Sequence, residues 1–109
     1  MTLTELKYIV AVARERHFGR AAEACFVAQP TLSVAIKKLE DELGVAIFER
    51  GGSEISVTPI GAQIIAQAEH VLEQTSHIKN IANQNKDPLI LNTRRNISLF
   101  LLILKYSCI

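Results

Sequence analysis

Residues 29–43, QPTLSVAIKKLEDEL, decide the fold of this 109-residue chain. Leu32, Ile36, Leu39 and Leu43 recur every three or four positions, which at about 100° per residue lines them up along one stripe of a helix. Pro30 falls in the first turn, where a missing N–H costs nothing, and Gly44 follows as a stop. Opposite the stripe stand Pro30, Val34, Lys37 and Lys38, with Thr31 and Ser33 on its shoulders. The outward face is therefore small, polar and basic in its first half. In its second half it is expected to be acidic and solvated, through Glu40, Asp41 and Glu42. A helix with this gradient is drawn between phosphates by its N-terminal end, where free backbone N–H groups add to the attraction.

The side chains of that end suit a major groove. Gln29 has the paired donor and acceptor that adenine requires, and Lys37 has the reach for a guanine edge or a phosphate. Thr31 and Ser33 are phosphate donors, and Val34 matches a thymine methyl. Lys38 and Arg20 are expected on the sugar-phosphate backbone.

Upstream of this helix, Thr2 and Glu5 have the spacing of a capping box, and Leu3, Leu6, Ile9, Val10 and Ala13 form the apolar face of a first helix ending near Arg16. A second, short helix is expected over 20–26, where Ala21, Ala22 and Ala24 let two helices cross closely. Downstream, Ile47 and Glu49, then Ile55, Ser56 and Val57, alternate on either side of Gly51-Gly52-Ser53, as in a hairpin or wing. Arg50, just before that turn, is placed to enter a flanking minor groove, whose narrow A·T-rich form attracts a guanidinium; the alternative is a solvated turn arginine.

Thr58-Pro59 signals another helix start. Ile64, Ala68, Val71, Thr75, Ile78 and Ala82 then step by fours and threes, the spacing of a coiled-coil seam, and predict pairing of this helix with a second copy. A core helix of a monomer is the alternative, disfavoured because the preceding elements have too little apolar surface to cover it. The expected fold class is mainly α: a winged helix-turn-helix over 1–58 with a two-stranded wing, then a long linker or dimerisation helix over 59–85. A tail of different character occupies 86–109, where Pro88 breaks the helix and 97–104 is almost wholly apolar. That run is short against the about 20 residues that span a bilayer, so no membrane association is expected.

Composition narrows the function classes. The chain is 49% hydrophobic, enough for one small core. Its net charge of +1 taken alone argues against binding of nucleic acid by bulk electrostatics and puts the weight on where charges sit. Cys25 and Cys108 have neither metal-ligand spacing nor a disulfide framework, and no secretory segment opens the chain, so the expected compartment is the cytoplasm. Cys25 between Ala24 and Phe26 suits a small buried hydrophobe rather than a reactive thiol. There is no phosphate-cradling glycine loop and no nucleophile paired with an oriented base, which argues against an enzyme. No cofactor and no metal are expected, since three adjacent helical carboxylates point in different directions.

RHFGRAAEACFVAQPTLSVAIKKLEDELGVAIFER, residues 16–50, resembles the DNA-binding region of LysR-type transcriptional regulators, and RHFGRAAEACFVAQPTLS resembles their peroxide-responsive OxyR branch most. The resemblance runs from Met1 to about Asn83. It implies a dimer that reads an interrupted inverted repeat in double-stranded DNA, with Gln29, Pro30, Thr31, Ser33 and Lys37 on recognition-helix positions that meet DNA and Arg50 on the wing position.

Two caps depart from the family pattern. Ala28 stands where a serine often caps the recognition helix, a change worth about 1 kcal/mol, and Gly19 stands where Ser or Thr is expected to cap the second helix. The family continues into a two-lobed effector domain, which the tail does not resemble. A truncated or frame-shifted product that retains DNA binding and pairing is therefore expected, or a dominant-negative interaction module that pairs with a full-length regulator. The family's redox cysteines belong to the effector domain, so Cys25 inherits no sensing role.

Overall fold

A computed structural model of the chain describes residues 1–51 and 54–86. Its elements are α1 (Leu3–Glu15), α2 (Phe18–Ala24), α3 (Gln29–Leu43), β1 (Phe48–Gly51), β2 (Glu54–Val57) and α4 (Pro59–Gln84). This is the expected mainly helical winged helix-turn-helix. By compactness the chain divides into Met1–Glu73 and Gln74–Ile109, so the three helices, the wing and the first part of α4 form one unit.

The Thr2–Glu5 box closes as its spacing predicts: the Glu5 N–H donates to Thr2 Oγ1 at 3.1 Å and the Thr2 N–H donates to Glu5 Oε1 at 2.7 Å. α1 ends on Arg16, whose backbone is left-handed at φ 54°. The second helix begins earlier than expected, at Phe18, because His17 rather than Gly19 caps it, with Nδ1 accepting from the Arg20 N–H at 3.0 Å. Ala21 and Ala22 are buried where α2 crosses its neighbours. Cys25 and Phe26 then form the turn into α3, Phe26 at φ 58°.

α3 has the expected bounds, with Pro30 in its first turn, Ala28 making no side-chain cap bond and Gly44 turning out at φ 73°. Leu32, Ile36 and Leu39 are fully buried, and with Ile9, Val12 and Ile47 they make the centre of the core. Leu43 departs from the expected stripe: it is 37% exposed, because the helix has run past the core by its last residue.

The wing is an antiparallel pair in the register Phe48 to Val57 and Arg50 to Ile55. At its foot, Thr58 joins wing to helix. Its N–H donates to Ile47 O at 3.0 Å, its Oγ1 donates to Ala46 O at 2.6 Å, and the same oxygen accepts from the Gly61 N–H at 2.9 Å, opening α4. Gly61, Ile65 and Ala68 are buried, so the first turns of α4 are core structure.

In the second unit, α4 continues to Gln84 and Asn85 Nδ2 donates to Ile81 O at 3.0 Å. Ile78 and Ile81 are exposed there. Among the described residues no helix is long and apolar enough to cross a membrane. The expectation for the tail falls, Lys86 apart, outside the described residues.

Candidate nucleic-acid interface

Amphipathicity decides which side of α3 is available. With Leu32, Ile36 and Leu39 buried against α1 and α2, the opposite side is turned to solvent: Gln29, Pro30, Thr31, Lys37 and Lys38 are exposed, Val34 is 68% exposed and Ser33 is half-buried. These seven residues form one continuous outward face. Lys37 Nζ lies 3.2 Å from Asp41 one turn on; both side chains are open to water, so this pair is weak and easily exchanged for a phosphate.

Arg20 is exposed but directed toward the end of α1, where Nη2 donates to Glu15 O at 3.1 Å and Nε lies 3.8 Å from Glu15 Oε1. Arg50 is not a freely solvated turn arginine. Its guanidinium carbon lies 4.9 Å from the centroid of Phe18, and Nη2 is 3.8 Å from Glu40 Oε1. Phe18 in turn meets Phe48 edge-on, with ring centroids 6.4 Å apart. The wing arginine is thus aligned by an aromatic face and a carboxylate while keeping a solvent-facing side.

Glu40 corrects the expected solvated acidic end of α3. It is only 8% exposed, and its Oε2 accepts from the Ile47 N–H at 2.7 Å and from the Phe48 N–H at 3.2 Å. After Gly44 the chain folds back across the helix, and the two N–H groups leading into β1 need an acceptor there. The position was readable: Glu40 lies one turn after Ile36 and next to Leu39, on the edge of the buried stripe. Asp41 and Glu42 do remain exposed, and Glu42 Oε1 accepts from the Met1 ammonium at 2.8 Å, which raises the pKa of that amine.

The expected pairing seam is placed unevenly. Ala68 is 3% exposed, covered by its own chain, since its small side chain lets α4 approach the core closely. Ile64 and Val71 are half-buried and border a shallow apolar groove with Met1, Leu6, Leu43 and Ile60. In the second unit, Thr75 is half-buried and Ile78 is 68% exposed.

Cys25 is half-buried, and burial pushes its thiol above the ordinary range, opposed only by the charge of Lys7. That is the opposite of the thiolate a peroxide-reactive cysteine needs. Cys108 lies outside the described residues. Among the described residues no cluster of His, Cys, Asp and Glu is set to hold a metal ion.

Residues 3–62, more than half of the chain, match the bacterial regulatory helix-turn-helix proteins of the lysR family. Over 89 residues the chain is 44% identical to the hydrogen peroxide-inducible genes activator of Pectobacterium carotovorum subsp. carotovorum, covering 82% of this chain and 30% of that protein. It is likewise 44% identical over 89 residues to the DNA-binding transcriptional dual regulator OxyR of Escherichia coli (strain K12), covering 82% and 29%. The chain thus spans about a third of the length of these curated relatives.

Among solved structures, a full-length OxyR variant from Pseudomonas aeruginosa superposes with a TM-score of 0.76 at 62% identity, over 80% of this chain and 30% of that one. The DNA-binding domain of BenM in complex with catB site 1 DNA superposes with a TM-score of 0.75 at 35% identity, over 78% and 94%. A matched helix-turn-helix, superposable solved structures and relatives at this identity lead to one assignment: the chain belongs to the LysR family of bacterial regulatory helix-turn-helix proteins, with OxyR-like relatives.

Proposed function

We propose that this chain is the sequence-reading part of a transcription regulator, which binds an inverted repeat in double-stranded DNA as a dimer. The observation that carries the proposal is the exposed face from Gln29 to Lys38 on a helix whose other side is locked into the core. The solved BenM and CbnR DNA-binding domains, each in complex with DNA, share this fold.

In the proposed complex α3 lies in the major groove. Gln29 pairs with a base edge and Val34 faces a thymine methyl. Pro30 starts the helix close to the backbone, Thr31, Ser33 and Lys38 hold phosphates, and Lys37 exchanges Asp41 for a phosphate or a guanine. Arg20 releases Glu15 for the flanking strand. Arg50, aligned on Phe18, enters the minor groove beside the half-site.

The apolar groove bordered by Ile64 and Val71 and the exposed Ile78 support pairing with a second copy. Thr75 extends the same proposed seam, and Ala68 supports it from beneath. The operators we assign to it are those of the peroxide-inducible relatives, and the cytoplasm is the fitting compartment. Pairing with a full-length regulator through the same groove is a second reading, and co-purification of the two chains tests it.

A titration of the chain against a pool of random duplexes at two salt concentrations, with sequencing of what is retained, tests the proposal. Recovery of an inverted repeat supports it; featureless retention overturns sequence reading. On the recovered site, Gln29→Ala is expected to cost about 1–3 kcal/mol of discrimination at one base pair, with other positions unchanged. Equal loss on every sequence would reduce Gln29 to a packing role. Arg50→Ala is expected to weaken binding several-fold more on A·T-flanked sites than on G·C-flanked ones, as fluorescence anisotropy with the two duplexes will read.

A further inference from the structure

Gly19 has a helical place in α2, yet a side chain there would meet the His17 ring. A Cβ built on it would lie 2.8 Å from His17 Cε1, 3.2 Å from His17 Nδ1 and 3.5 Å from Gln29 Oε1. The first is closer than real Cβ atoms approach, and for the ring to yield it would have to give up its capping bond. His17 Nδ1 accepts from the Arg20 N–H at 3.0 Å, which both caps α2 and fixes the imidazole. The bare backbone of Gly19 is therefore the floor of a notch, the imidazole is its wall, and the carboxamide oxygen of Gln29 lies over it.

We infer that Gly19 and His17 set the orientation of the Gln29 carboxamide, which makes Gly19 a specificity-determining position for the base that Gln29 reads. A glutamine side chain has several rotatable bonds, and holding it before the DNA arrives spares it ordering entropy on binding. Discrimination by paired hydrogen bonds also depends on the plane of the amide. His17 is a positioning residue here: its ring is held by the bond from the Arg20 N–H, and it acts by holding the notch open. The specificity half of this inference rests on the DNA-binding proposal above; the orientation half does not.

Two measurements separate the halves. In the free chain, the side-chain amide resonances of Gln29 are expected to move on Gly19→Ala and on His17→Asn, which keeps a capping side chain but removes the ring. Glu23→Ala, exposed on the same short helix, is expected to leave them in place. Unmoved Gln29 resonances in both notch variants would overturn the inference whatever the chain binds.

On the duplex pool, Gly19→Ala is expected to reduce discrimination about fivefold at the base pair affected by Gln29→Ala, and to add nothing in a Gln29→Ala background. Additive effects, or a change at other positions, would refute the specificity role. A wild-type chain that selects no sequence refutes that role together with the DNA-binding proposal, and the resonances then still decide the orientation.

Discussion

Replacing Gly61 by alanine is expected to destabilise the Met1–Glu73 unit by about 3 kcal/mol, although alanine is the better helix former by about 1 kcal/mol. The added Cβ would run into the carbonyl oxygen of Ile47, and it would also lie 2.9 Å from Ile47 C and 2.9 Å from Thr58 Oγ1. These are backbone and capping atoms rather than the loose end of a side chain. The same carbonyl accepts from the Thr58 N–H, and the same hydroxyl caps α4. Relief therefore requires separating the wing from the helix and losing both bonds. With about 4–8 °C lost per kcal/mol in a domain of this size, a fall of about 15 °C in Tm is the expected reading. A loss under about 1 kcal/mol would mean that α4 shifts along its axis at no cost.

Glu40→Ala is expected to cost about as much, by a different route. It leaves the N–H groups of Ile47 and Phe48 without their carboxylate, and an unsatisfied buried donor costs about 1–3 kcal/mol. It also removes the partner at 3.8 Å from Arg50, but that arginine is half-exposed and the loss there is small. Glu40→Gln keeps one acceptor oxygen and is expected to recover about half of the loss. Urea unfolding gives the two magnitudes, and amide exchange at Ile47 and Phe48 locates them. Unchanged protection of those two amides in Glu40→Ala would show that another acceptor had replaced the carboxylate.

The elements that could be read from the sequence are those whose signals are local. The bounds of α3, the Thr2–Glu5 box and the start at Thr58-Pro59 each depend on residues within a turn of one another. Two features are not legible locally, because their partners come from a distance or from an uncommon residue type. Glu40 stands in a run of three carboxylates that reads as surface, since the strand that covers it arrives only after Gly44 reverses the chain. His17 is hard to read as a cap because Ser, Thr, Asp and Asn usually take that place.

The apolar period of α4 is legible in the sequence, but its depth of burial is not. A repeat of fours and threes looks the same whether a neighbouring element of the chain or a second copy covers it, and Ala68 proved to be covered from within. The outward face of α3 was legible because a helix with one buried stripe leaves few choices for the remainder.

The two feet of the hairpin are tied together at Ile47, the first strand by Glu40 accepting from the N–H groups of Ile47 and Phe48, the second by Thr58 donating to the carbonyls of Ala46 and Ile47. Substitutions and changes of length between Gly51 and Glu54 are thereby insulated from the helices. Such an arrangement makes the wing an exchangeable cassette: natural variation, or a designer, can retune its length without refolding α3.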